Sequence, residues 1–135
     1  MTEDDKNILF GDLFARIRHG VLVDGGSEYG VCTLVGFEYY VFLAETSYQL
    51  EVGLECPKPY LRPMSSMTEE EKKMVCSMNG LSDTELNDRI EYPNMYVQNY
   101  TIETFDLFNA HHLDYRGLIE KGLALKAQKD MYEKL

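Results

Sequence analysis

The chain predicts an α+β fold: an N-terminal helix, a small antiparallel β-sheet and a helical C-terminal half. Three observations carry this. Near the start, Ile8, Leu9, Phe10, Leu13, Phe14 and Ile17 recur at spacings of three and four, the period of a helix with one buried face. From Val21 to Gly53 the apolar residues instead form short β-branched and aromatic runs separated by turn residues. Beyond Pro63 the helix-start spacing Ser/Thr-x-x-Glu recurs at Ser66–Glu69, Thr68–Glu71 and Ser82–Glu85. At 135 residues the chain has the size of one domain. It reads as two sub-lobes, 1–63 holding helix and sheet and 64–135 mainly helical.

The first helix opens on Thr2 to Asp5, where acids suit the positive end of the dipole. Arg16, Arg18 and His19 suit its negative end, and Gly20 stops it. Its apolar stripe is expected to face the core. Val21–Val23 reads as a strand ended by the turn Asp24-Gly25-Gly26. Tyr29–Val35 is the second strand, broken at Gly36, and Glu38–Leu43 the third, with a turn at Ala44–Ser47. Tyr48, Leu50 and Val52 alternate with Gln49 and Glu51 as a half-buried fourth strand. Leu54–Leu61 is a fifth, confined to an edge because Pro57 and Pro59 lack the N–H that a central ladder needs. Four or five short strands with tight turns suit a sheet able to roll into an SH3-like barrel.

Pro59 and Pro63 hold the stretch between them extended. A helix follows over Glu69–Met78, with Met74, Val75 and Met78 on one face and Asn79-Gly80 as its stop. A short helix is expected near Asp83–Arg89, a connection over Glu91–Tyr96, and another helix from Thr101 to about Ala110–Leu113. In that last helix Ile102, Phe105 and Phe108 share one side. Leu123–Ala127 reads as a short strand or the start of a tail, and the final polar residues to Leu135 are expected to fray.

Three blocks of the chain, LFGDLFARIRHGV near the start, KPYLRPMSSMTEEEKK in the middle and NAHHLDYRGLIEKGLALKA near the end, resemble segments shared by uncharacterised proteins of phages and mobile elements from gut anaerobes. They cover about a third of the chain. The resemblance implies a phage or mobile-element origin and brings no activity, ligand or site residue with it.

Composition narrows the functions. Hydrophobic residues make up 44% and charged residues 27%, as in folded chains. No apolar run reaches the length of a membrane span. The three cysteines, Cys32, Cys56 and Cys76, are odd in number and widely spaced. That pattern fits reduced thiols and a cytoplasmic setting rather than a disulfide framework. The net charge is −10, and residues 1–56 carry ten acids against Lys6, Arg16 and Arg18. Such a front half repels nucleic-acid phosphates. It serves solubility, or it imitates a nucleic acid toward a protein with a basic groove.

No constellation of residues announces catalysis. His111 and His112 are adjacent, so on a helix their rings diverge, and no zinc-type spacing accompanies them. The cysteines lie outside loops with an obvious base, and Gly25-Gly26 lacks the lysine and flanking glycine of a phosphate loop. No cofactor and no metal are expected. The ten tyrosines, among them Tyr39-Tyr40, Tyr60, Tyr92, Tyr96, Tyr100 and Tyr115, fill core edges or anchor an interface. The expected binding residues are Tyr60, Arg62, His111, His112, Tyr115 and Arg116.

The reading these features support is a non-enzymatic module that binds another protein, with no direct nucleic-acid or membrane contact. One alternative is an acidic nucleic-acid mimic or inhibitor of a host nucleic-acid-handling protein. Another is a small hydrolase or ligand-binding enzyme that uses His111 or His112, so the question of catalysis leans toward no without closing.

Overall fold

The structure, a computed structural model, describes residues 1–92, 95 and 99–132. Tyr96, the Pro93-Asn94 part of the expected connection and the tail at 133–135 lie outside the described residues. The fold is α+β. Helix α1 (Glu3–Arg16) begins in a reciprocal cap: the Thr2 hydroxyl accepts the Asp5 N–H, and the Asp5 carboxylate accepts the Thr2 N–H. A 3-10 turn, Ile17–His19, follows and ends at Gly20, whose φ of 67° favours glycine.

Strands β1 (Leu22–Asp24), β2 (Val31–Glu38), β3 (Val41–Glu45) and β4 (Glu51–Leu54) form one antiparallel sheet in that order. One helical turn, α2 (Gly26–Tyr29), extends the Asp24-Gly25-Gly26 turn, so β2 starts at Val31 rather than Tyr29. Gly25 is required there, because a Cβ would come within 2.7 Å of the Cys32 sulfur and 2.8 Å of the Gly30 oxygen. Gly36 does not break β2: the register shifts between Leu34 and Gly36, and the bulge absorbs the irregularity. Glu38–Leu43 is not one strand, because the chain reverses at Tyr39-Tyr40.

The expected half-buried strand at Tyr48–Val52 is corrected as well. Tyr48 and Leu50 are exposed, and the strand starts only at Glu51. The Thr46 hydroxyl accepts the N–H groups of Tyr48 and Leu50 and so holds a loop there. The sheet does not close into a barrel: β4 is its last strand at one end, and at the other β1 meets the proline arm. There Val23 bridges to Pro59, and the Asp24 N–H donates to the Lys58 carbonyl at 3.0 Å.

The proline arm is extended, as its composition requires, but its partner comes from the far end of the chain. Strand β5 (Tyr60–Leu61) pairs parallel with β6 (Leu125–Lys126). One residue on, Arg62 bridges to Leu113, its N–H donating to the His112 carbonyl and its carbonyl accepting the Asp114 N–H. Helix α3 (Glu69–Asn79) starts at the Thr68–Glu71 capping box and ends at Gly80, and α4 (Asp83–Glu91) starts at the Ser82–Glu85 box. The Ser66–Glu69 box does not form, because Ser66 belongs to the 3-10 turn Met64–Ser66 and its hydroxyl donates to the Pro63 carbonyl. Helix α5 (Ile102–Ala110) is capped by Thr101. Its buried face holds Thr104, Leu107 and Phe108, while Ile102 is exposed, so the expected Ile102 face is rotated.

Two clusters of buried side chains result. In the first, Leu9 and Leu13 of α1 pack on the inner sheet face of Cys32, Leu34, Phe42 and Ala44, joined by Leu118 and Leu123. The second gathers Met67, Val75, Leu86, Phe108, Leu113 and Tyr115. Arg16 lies between them, wholly buried. Its Nε donates to Asp12 at 3.0 Å, and its terminal nitrogens reach the carbonyls of Phe108 at 3.4 Å and Leu113 at 2.6 Å. No helix among the described residues is long and apolar enough to cross a membrane.

Candidate functional site

Of the six expected binding residues only Arg62 lines a cleft; Tyr60 and His112 touch its lining residue Tyr132 from behind, His111 reaches it through Arg62 and Glu71, and Tyr115 and Arg116 lie elsewhere. The cleft, about 800 Å³ in volume, runs between the Arg62–Thr68 segment and the segment from Lys126 to Tyr132. Arg62 stands in its wall because the prolines on either side hold the arm extended and the bridge to Leu113 fixes its backbone. Its guanidinium is already engaged. One terminal nitrogen meets Glu71 at 2.9 Å and the His111 carbonyl at 3.3 Å; the other meets Glu71 at 2.7 Å and the Ser66 carbonyl at 3.0 Å.

Glu71 is therefore the hub behind the wall. Its carboxylate holds Arg62 in a fork, accepts the Thr68 N–H at 2.8 Å and lies 2.7 Å from the His111 ring. Burial alone would raise its pKa, but hydrogen bonds from Arg62, the Thr68 backbone and His111 outweigh it and hold the carboxyl at about 2. The reading of Glu71 as a helix cap captured one of its three tasks.

The neighbouring histidines diverge, although both lie past the end of α5 rather than on a helix as expected. His111 faces Glu71, whereas His112, 2% exposed, stacks on Tyr132 with ring centroids 3.9 Å apart. The backbone at His112 has φ of 60°, which turns its ring away from its neighbour. Burial, with Arg16 next, pushes the His112 imidazole down to about 3, and its Nδ1 has no partner among the described residues. Tyr132 is a clamp: its hydroxyl donates to the Tyr60 carbonyl at 2.7 Å and accepts the Leu22 N–H at 2.9 Å. Tyr60 thus enters the site through its backbone.

Tyr115 and Arg116 belong elsewhere. Tyr115 is buried in the second cluster and donates to Asn109 at 2.9 Å. Arg116 lies over the Tyr115 ring and pairs with Asp12 at 2.7 Å, so Asp12 joins Arg16 and Arg116 in one network. Tyr115 is thus buried away from solvent, and Arg116, still partly exposed, ties its segment to α1.

The histidine–carboxylate pair supplies half of what a hydrolase needs. Among the described residues no hydroxyl or thiol is joined to the His111 ring: the Ser66 hydroxyl donates to Pro63, and the Cys76 sulfur faces Ser82 and Asp83. Burial, then Asp83 and Glu85, push the Cys76 thiol up, away from the reactive thiolate. No group of His, Cys, Asp and Glu among the described residues has the arrangement of a metal site.

A second surface lies at residues that the sequence offered only as core-edge or interface tyrosines. At the tip of the β2–β3 hairpin, Tyr39 and Tyr40 are 86% and 91% exposed. Both have positive φ, 52° and 68°, in the two-residue turn that closes Glu38 on Val41. This geometry favours Asn-Gly and strains a bulky residue. Below the tip, Phe37 and Phe14 make an edge-to-face contact at 5.0 Å and stay 38% and 45% exposed. Phe42 anchors both rings to the core.

No protein-family model, no curated protein and no solved structure matches the chain.

Proposed function

We propose that this chain is a non-enzymatic protein-interaction module of phage or mobile-element origin, and that it holds its partner with the aromatic end of the β2–β3 hairpin. The observation that carries the reading is the tyrosine pair. Two large rings stand almost entirely in solvent at positions where the backbone disfavours them. Each left-handed residue with a side chain costs about 1–2 kcal/mol, and neither ring returns this through burial. Strain held at an exposed site points to a use outside the fold. Tyrosine suits that use, since it offers a wide apolar face, a polar tip and few rotatable bonds. Phe14 and Phe37 continue the surface toward α1. The phage or mobile-element origin rests on the three sequence blocks. The test is capture of a partner by wild-type protein and by Tyr39→Asn/Tyr40→Gly, with equal folding shown by circular dichroism. The reading expects the partner to be lost with the tyrosines; equal capture by both proteins counts against it.

A specific observation also favours the acidic mimic as a second reading. Glu45 lies directly opposite Glu51 on the outer sheet face, and Glu38 continues that face. All three are exposed. Like charges set opposite one another destabilise a sheet. On this reading the triple change to glutamine abolishes partner capture while the tyrosine change does not, which separates the two.

A further inference from the structure

The cleft beside Arg62 has a charge pattern opposite to that of the chain. The protein carries 23 acidic residues against 13 basic ones, yet none of the residues lining this cleft is acidic and three are cationic. Arg62 is held by Glu71, so Lys126 and Lys129 carry the uncompensated charge, and neither pairs with an acid among the described residues. Both ammonium groups are on exposed residues of the strand and turn that form one wall. Ser66 and Thr68 bring hydroxyls from the opposite wall, and Gln128 adds an amide. The acids nearest in sequence, Glu69, Glu70 and Asp130, do not line the cleft. Pro63 and the Tyr132 ring give it an apolar side. Cavities of about 300–1,000 Å³ with apolar walls and a few convergent polar groups are the usual form of small-molecule sites. The volume here falls inside that range.

We infer that this cleft binds a small organic anion bearing two or more carboxylate or phosphate groups. Lys126 and Lys129 neutralise the anion from one wall, and Thr68, whose hydroxyl accepts the Glu71 N–H and keeps its own proton to give, hydrogen-bonds it from the other. Arg62 shapes the wall, with its Nε–H the one guanidinium donor that makes no hydrogen bond among the described residues. This site is separate from the hairpin surface and stands without it.

Isothermal titration calorimetry at fixed ionic strength tests the inference. Citrate and inorganic pyrophosphate are the two anionic probes, and glucose is the uncharged control. At least one anion is expected to bind below about 1 mM, and which one binds separates carboxylate from phosphate recognition. Lys126→Gln/Lys129→Gln is expected to weaken it by about tenfold or more. The exposed Lys73→Gln, outside the cleft, is expected to change it by less than about twofold. Tyr39→Asn/Tyr40→Gly leaves it unchanged. If the double variant fails to fold, Lys129→Gln alone, on an exposed residue, must still weaken binding. Absence of binding by both anions, or an equal loss in Lys73→Gln, overturns the inference.

Discussion

Replacing Tyr39 with asparagine and Tyr40 with glycine should make the protein more stable. The two residues occupy a hairpin turn with φ of 52° and 68°. Left-handed backbone costs a residue with a side chain about 1–2 kcal/mol, so the pair stores about 2–4 kcal/mol. Asparagine tolerates this region and glycine is unstrained in it. The rings are 86% and 91% exposed, so little burial is lost. At about 25 cal/mol per Å² their hidden fraction contributes about 1 kcal/mol at most. The net expectation is a gain of about 1–3 kcal/mol. For a chain of this size that is a rise in melting temperature of about 3–9 °C, taking about 3 °C per kcal/mol. Urea denaturation monitored by far-ultraviolet circular dichroism gives the free energy, and calorimetry gives the midpoint. An unchanged or lower stability would refute the reasoning. The tyrosines would then be doing local structural work, and their strain would no longer argue for a partner.

Other substitutions probe the buried networks. Arg16→Leu removes the guanidinium from the Phe108 and Leu113 carbonyls, which keep only their backbone donors Leu113 and Tyr115, and breaks a fully buried ion pair. It should cost about 3–5 kcal/mol by urea denaturation. Glu71 has a folded pKa of about 2 against an ordinary 4.5. A depressed carboxylate stabilises the fold above pH 4.5, and that contribution, about 3 kcal/mol, disappears as pH falls toward 2. Glu71→Gln should therefore be less stable at neutral pH and flatten the acid limb between those values. His112 has its pKa lowered from 6.5 to about 3. Its unfolded form takes up a proton below pH 6.5 while the folded form does not, so stability is intact above 6.5 and falls as pH drops toward 3. His112→Phe keeps a ring against Tyr132 and should remove up to about 1.4 kcal/mol per pH unit of slope in that window. An unchanged slope would contradict the assignment.

The elements that sequence disclosed are those fixed by local rules. The Thr68–Glu71 and Ser82–Glu85 boxes start α3 and α4, and the Gly20 and Gly80 stops fall where left-handed backbone is needed. Local rules also misled. Tyr48 to Val52 alternates like a strand, but the Thr46 hydroxyl takes the N–H groups that a ladder would have used. The Tyr39-Tyr40 reversal was hidden because neither residue is a turn former; only the facing register of β2 and β3 enforces it. The cleft was out of reach for a different reason. Glu71 meets His111 across 40 positions, and Tyr132 meets Tyr60 across 72. No periodicity reports such distances. A partial signal did exist for Arg16: Asp12 stands four residues before it, the spacing of a helical ion pair. Reading Arg16 as a cation at a helix end passed over that partner.

The most direct test of the interaction reading places a photo-crosslinking phenylalanine analogue at position 40 and asks what it captures from lysates of phage-carrying gut anaerobes, the setting that the proposed origin points to. The account predicts a discrete crosslinked protein, and purified wild-type protein then competes for it while Tyr39→Asn/Tyr40→Gly does not. A smear without a discrete product, or equal competition by both proteins, would contradict it.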